Sequence, residues 1–311
     1  VAEPAAGASR ARRWAFAAAL VAVAAAGVGF RQIGDWDSWW QLLIGRVALA
    51  SFSRLPVDEF SYSVAGAAWA HKDLAGYVVL EGAHAAGGFA GLSVLRSALA
   101  LLSATFLLLC VPRAQRSPAV WVVCAALMLG ANEFRYVPRA LVFSEVAFLG
   151  LLALIERVRE RVAAAPREIP WRLLAATVAT MVVWTNLHRG ALLGFVVLGG
   201  LVGAMTVESV WGAVRGRRTG GRAGTEAGPY TIGAVAATWG VALAGGCLNA
   251  SGVAVYTTGL AVSYDPIHRG FISEWHPVTL ELALRDFWPI TALLVAGWVA
   301  GLGALAAGWL R

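Results

Sequence analysis

Apolar runs of roughly seventeen residues or more, separated by short polar clusters, recur along the whole chain and read as helices in lipid. They fall at 14–30, 93–112, 119–134, 139–156, 172–187, 190–211, 230–248 and 287–309. Several are shorter than the roughly 20 residues that a hydrocarbon core asks of a helix. The pattern predicts an all-α fold, a polytopic transmembrane helix bundle of about eight spans, with two outer-side interfacial helices in the first loop. The first run follows Arg10, Arg12 and Arg13 and has the look of a signal peptide. It continues into Asp35-Trp36-Asp37 without a small-x-small cleavage site, so it is read as a span with the N-terminus in the cytoplasm.

Residues 34–73 are too charged to span. Within them, 38–52 sorts Ser38, Gln41, Gly45 and Arg46 to one side and Trp39, Trp40, Leu43, Val47 and Ala50 to the other. An interfacial helix with tryptophans at headgroup depth fits that sorting, and Pro56 ends it. Residues 74–91 are apolar but hold Glu81, His84 and the Gly87-Gly88 pair. If they crossed, every later loop would change sides, and the Arg-dense turns at 113–116, 157–172 and 215–222 would face outward. The positive-inside tendency opposes this, so 74–91 is read as a second interfacial or re-entrant helix. The expected organisation is one transmembrane domain over 1–311. It has a cytoplasmic tail at 1–13, an outer loop at 34–91, a cytoplasmic Gly/Arg loop at 215–229 and an outer loop at 249–286.

Composition supports this reading. Only 14% of residues are charged and 59% are hydrophobic, too little charge to cover a water-facing surface. The net charge of +7 sits in short Arg clusters between apolar runs, a pattern of topology and lipid headgroups rather than nucleic acid. Cys110, Cys124 and Cys247 form no CxxC and are expected to be small core residues.

On this topology every histidine and most carboxylates face outward, with Asn132, Asn186 and Asn249. Asp35 and Asp37 could hold a divalent cation or supply a general base; equally, two acids starting a helix favour its dipole. His71, between Trp69-Ala70 and Lys72-Asp73, could ligate metal or relay protons, or simply precede a helix cap. Arg135 and Arg139 could clamp a lipid phosphate or snorkel to headgroups. Glu145, an acid inside an apolar run, needs a partner, for which Arg139 and Arg135 are the candidates. The turn Trp184-Thr185-Asn186-Leu187-His188-Arg189-Gly190 either caps two helix ends or lines a site. The loop 249–286, with Asp265, His268, Arg269, Glu274 and His276, is a lid or an ordinary connection.

Together, Asp35-Trp36-Asp37-Ser38-Trp39-Trp40 with Gly45-Arg46, 56–62, Trp69-Ala70-His71, Arg135 through Ser144, Asn186-Leu187-His188 and Glu274-Trp275 resemble a bacterial multi-spanning family related to the C-type glycosyltransferase superfamily. Arg189 replaces a usual glycine, and Lys72 replaces a usual acid beside His71. Many relatives also carry an outer soluble domain, which this chain is not expected to have. The resemblance implies a bacterial inner-membrane protein, multi-pass with both termini cytoplasmic, and an outer-face site that uses a polyprenyl-phosphate sugar donor. It implies Asp35 or Asp37 as base, His71 and His188 lining the cleft, and Arg135, Arg139, Arg269 and Asn186 toward the lipid phosphate. Expected partners are membrane lipids, the polyprenyl-phosphate sugar and other membrane proteins. The alternative is a non-catalytic subunit of a larger membrane complex. A transporter ranks lower, because charges at mid-membrane depth are scarce apart from Glu145.

Overall fold

The structure is a computed structural model that describes residues 4–51, 57–59, 62, 65–67, 73–165, 168–219, 229–264, 266, 279–285, 291, 292, 294–299, 302 and 303. His71, Arg269 and the rest of 267–278 lie outside the described residues, as does much of the expected span 287–309. Among the described residues there is no β-strand, in accord with the all-helical expectation.

The chain divides into two units, Val1–Thr257 and Thr258–Arg311. The first contains α1 (Pro4–Gly29), α2 (Asp37–Ser51), α3 (Leu74–Leu109), α4 (Pro118–Ala131), α5 (Leu141–Ala164), α6 (Trp171–Leu187), α7 (Leu192–Thr219) and α8 (Pro229–Gly246). Next comes α9 (Ala254–Tyr264), and the second unit holds α10 (Leu280–Arg285). In that unit Thr291 Oγ1 donates to the Ala283 carbonyl at 2.9 Å, and Leu294, Val295 and Trp298 are exposed.

Among the described residues, three helices are long and apolar enough to cross a membrane: Ser9–Gly29, Leu74–Leu109 and Arg189–Trp211. Pro118–Ala131 and Thr231–Gly246 are apolar but shorter. These helices mark a membrane protein, and the described residues do not confirm the eight crossings that the apolar runs predict. The 14 residues of α4 span only about 21 Å, against a hydrocarbon core of about 30 Å.

Side-chain placement within the helices fits lipid as the solvent. Along α1, Ala17, Val21 and Ala25 are buried at four-residue spacing, while Phe16 and Val23 are 67% and 71% exposed. Small residues face the neighbouring helices and large apolar ones face outward, as close packing between helices in lipid requires. The sorting is sharper in α2, where Ser38, Gln41, Leu42 and Ile44 are buried and Trp39, Leu43 and Leu49 are exposed. The predicted two-sidedness of this helix holds, and most of its polar side turns into the protein. Cys124 departs from the expectation of a core residue: it is exposed on α4, and all three cysteines are free.

One element bends sharply. α3 leaves helical geometry at Gly87 and Gly88, the latter at φ 57°, ψ −142°, a region essentially restricted to glycine. The arm before the break starts against the Leu187 carbonyl and Ala140, where Gly76 packs. The arm after it returns to Gly29 through Ser93 and Ser97, and to the Tyr136 carbonyl through Arg96. The 74–86 arm therefore begins and finishes at the same end of the bundle, hereafter the site end. That is the behaviour expected of a helix that does not cross. The break also puts His84 against Phe89, with ring centroids 5.6 Å apart.

Arg96 holds this end together. It is 2% exposed and donates to three carbonyls: Tyr136 at 2.5 Å, Arg31 at 3.1 Å and Val28 at 3.3 Å. Val28 lies in the last turn of α1 and Arg31 just beyond it, where the unpaired carbonyls of a helix terminus favour a cation. An ion pair between Arg31 and Glu133 reinforces the same junction. At the opposite end Arg157 donates to the Leu109 carbonyl at 2.7 Å, and Arg116 donates to Val111 at 3.1 Å. The Arg-dense turns thus gather away from the site end.

Two stability measurements in detergent test this frame. Gly88→Ala should cost about 1–3 kcal/mol from backbone strain alone, since open space surrounds the new methyl; Gly82→Ala, in a helical and equally open setting, should be neutral or slightly stabilising. Arg96→Met should lower stability by about 3 kcal/mol because it strands three carbonyls, one of them buried, with Arg96→Lys falling between it and the parent.

Candidate functional site

The turn that leaves α1 delivers Asp35 and Asp37 to the start of α2. Asp35 Oδ2 accepts from the Ser38 backbone N–H at 2.9 Å and from its hydroxyl at 2.8 Å, a helix cap. Asp37 Oδ1 accepts from the Trp40 indole at 3.1 Å. The remaining oxygens meet Arg139: Nη1 lies 3.5 Å from Asp35 Oδ1 and Nη2 lies 2.6 Å from Asp37 Oδ2. Arg139 is positioned by the start of α5, where the Ala140 N–H donates to Gln41 Oε1 at 2.8 Å and locks α5 onto α2. Two of the predicted acids and one predicted arginine therefore form one cluster, and each of the four carboxylate oxygens has a partner.

A second cluster adjoins it. Asp73 precedes α3 in the left-handed region, at φ 60°, ψ 22°, and is 9% exposed. Its Oδ1 accepts from the Arg189 backbone N–H at 2.6 Å. In the turn after α6, the Gly190 N–H donates to His188 Nδ1 at 3.0 Å, so that nitrogen carries no proton and the ring is the Nε2–H tautomer. The Ser144 hydroxyl then donates to the same Nδ1 at 2.7 Å while its oxygen accepts from the Trp184 indole at 2.7 Å. A side chain at Gly190 would collide with Ser144 Oγ and sit 2.7 Å from His188 Nδ1, so this turn needs glycine. Burial first, and then Arg189, Arg139 and Arg135, hold His188 below the usual histidine range, against an opposing pull from Asp73. Tyr77 lies within electrostatic reach of Asp73, Arg189, Asp37 and Arg139, so the two clusters share one neighbourhood.

The other predicted residues separate. Asn186 Nδ2 donates to the Val182 and Leu248 carbonyls, each at 2.8 Å. These bonds tie the end of α6 to the chain after α8. Arg135 is exposed, and its charge reaches His188, Tyr136 and Glu145. Glu145 is not paired with Arg139. Its partner is the Tyr136 hydroxyl, which donates to Oε1, and Arg135 acts on it only from a distance. Burial first, and the Glu145 charge second, push the Tyr136 phenol upward. A neutral hydroxyl satisfies the acid without placing a second charge at depth.

Asp73, Ser144 and Arg189 lie in segments that the sequence marks, but none of them was expected to be a site residue. Asp73 is one of many acids in the first loop, and Ser144 is a hydroxyl in an apolar run. A divalent cation fits poorly at the Asp35–Asp37 pair: among the described residues no group of three His, Cys, Asp or Glu converges, and the Arg139 guanidinium occupies the position facing both carboxylates. No protein-family model, curated protein or solved structure matches the chain.

The His188 network makes a pH prediction. With its folded value depressed below the unfolded value of about 6.5, the unfolded chain takes up the proton first as pH falls. The stabilisation is complete above that value and is lost as pH falls through the lower, folded one. Thermal unfolding in detergent should therefore show a midpoint that falls as the pH drops below about 6.5, and His188→Asn should flatten that slope.

Proposed function

We propose that the chain is a membrane transferase scaffold of the C-type glycosyltransferase kind, of about eight spans, that takes a sugar from a polyprenyl-phosphate carrier at the outer leaflet of a bacterial inner membrane. The observation that carries this reading is the convergence of Asp35, Asp37, Arg139, Asp73, Arg189 and His188 at one end of a lipid-facing helical bundle. The Arg-dense turns at the opposite end support assigning the site end to the side away from the cytoplasm, with both termini inside. The 74–86 arm, starting and finishing at the site end, supports the interfacial-helix arrangement that the resemblance implies.

In this reading an acceptor hydroxyl gives its proton to an aspartate carboxylate as its oxygen attacks the anomeric carbon. The bond from that carbon to the carrier phosphate breaks, and the phosphate departs with the electron pair as polyprenyl phosphate. Arginine side chains stabilise the charge that grows on the departing oxygen. No step is routed through a metal ion. For a carboxylate to act, Arg139 has to exchange its aspartate partners for the phosphate, which couples donor binding to release of the base.

A specific observation favours a second reading. All four oxygens of Asp35 and Asp37 already hold partners, two of them within α2 itself. This suits a chain that keeps the scaffold as a non-catalytic subunit. A groove of about 980 Å³ between α5 and α7, lined by Leu152, Ile155, Leu201, Met205 and Trp211 among others, offers a lateral seat for another membrane segment.

One experiment separates the two. The purified chain is placed in liposomes with a labelled polyprenyl-phosphate sugar and a mixture of acceptor lipids and glycans, and release of free polyprenyl phosphate is followed. The transferase reading expects turnover by the parent chain and a loss of about 100-fold or more in Asp35→Asn or Asp37→Asn, both of which keep a capping side chain and fold. No turnover in the parent would leave the scaffold reading, and unchanged turnover in both variants would refute the aspartates as the base.

A further inference from the structure

The turn after α6 partly buries the Arg189 side chain: its Nη1 is buried and makes no hydrogen bond. No carboxylate among the described residues comes within 4.0 Å of the guanidinium. Asp73, the acid attached to this residue, uses Oδ1 on the Arg189 backbone N–H at 2.6 Å and leaves the side chain unpaired. Three other arginines at this end have partners. Arg96 has three carbonyls, Arg31 has Glu133, and Arg139 has Asp35 and Asp37. A buried guanidinium nitrogen without an acceptor is costly, and its cost is removed by an anion that brings its own oxygens.

The position defines the anion. Arg189 opens the apolar helix Arg189–Trp211, one of the three long enough to cross the membrane, so its charge lies where hydrocarbon gives way to headgroups. Other donors and charges lie close by. His188 presents a neutral ring whose free nitrogen is an N–H donor, and the charges of Arg135 and Arg139 reach it. A flat fork with parallel N–H donors suits phosphate oxygens. We infer that the Arg189 guanidinium is the anchoring group for the phosphate of a lipid phosphate ester, entering the site end beside the turn after α6, and that Arg189 rather than Asn186 is the phosphate ligand contributed by this turn.

The identity of the lipid as a sugar carrier rests on the preceding reading; the binding of a lipid phosphate does not. The test therefore reads binding rather than turnover. The full chain in a phosphate-free maltoside detergent is titrated with farnesyl phosphate, with farnesol and with inorganic phosphate, and the thermal midpoint and tryptophan fluorescence are recorded. Farnesyl phosphate should bind saturably and raise the midpoint, with farnesol and inorganic phosphate each much weaker. Arg189→Gln should weaken farnesyl phosphate by about ten- to a hundredfold, and Arg189→Lys, which keeps charge but loses the fork, should fall between. A variant that unfolds is excluded by its own midpoint without ligand, and Arg189→Lys then decides alone. Equal affinity in parent and both variants, or no saturable binding in the parent, overturns the inference. Inorganic phosphate binding as tightly as farnesyl phosphate overturns the lipid assignment and makes this a site for a soluble anion. Binding lost in Arg189→Gln in a parent chain that transfers no sugar would refute the transferase reading while leaving this one standing.

Discussion

The site end of this protein depends on how one buried cation is satisfied. Arg96 sits in a helix surrounded by apolar neighbours, where an unpaired guanidinium would be expensive, and it finds the carbonyls of Val28 and Arg31 at the end of α1 and of Tyr136 before α5. Those three carbonyls lie on the two stretches that carry the candidate chemistry. The chain that leaves Arg31 reaches Asp35 and Asp37 within a few residues, and the chain that leaves Tyr136 reaches Arg139. Satisfying Arg96 therefore brings acids and arginine, 104 positions apart from Asp35 to Arg139, into one ion-paired cluster.

Lipid as the solvent accounts for much of the rest. In water the exposed Trp36, Trp39, Val23 and Phe16 would drive collapse, and the buried Ser38 and Gln41 would carry a penalty. In lipid the apolar faces are already solvated, and the polar groups gain by turning to one another. Gln41 bonding to the start of α5, Thr177 and Thr185 bonding to the carbonyl four residues back, and Glu145 taking the Tyr136 hydroxyl follow the same rule. The rule concentrates the unusual side chains at one end, where the helices stop and the turns have room for them. It also limits the chemistry: a carboxylate recruited to satisfy an arginine becomes available to a substrate only when something else takes its place.

Much of the architecture was legible because a helix in lipid advertises itself by length and apolarity. The starts of α2, α4, α6 and α8 and the glycine interruption at 87 and 88 sit within a residue or two of where the apolar pattern puts them. Asp35, Asp37 and Arg139 were legible as candidates because their type and position near helix ends were unusual. That Asn186 donates to the carbonyls of Val182 and Leu248 was not legible, since an amide in a turn looks the same whether it faces a ligand or backbone. Glu145 was legible as an acid in need of a partner, but charged residues are the obvious candidates and the Tyr136 hydroxyl fills the role.

Sequence alone determined that this is an all-helical membrane protein with a two-sided helix after the first apolar run, because hydropathy and periodicity are local properties carried by consecutive residues. Only the tertiary structure decided which side of that helix turns inward, that both ends of the 74–86 arm stay at one end of the bundle, and that Asp73, Ser144, His188 and Arg189 meet. These depend on hydrogen bonds between residues from 44 to 116 positions apart, such as Ser144 with His188 and Asp73 with Arg189. No local pattern encodes them, since each partner is chosen by what the others leave unsatisfied.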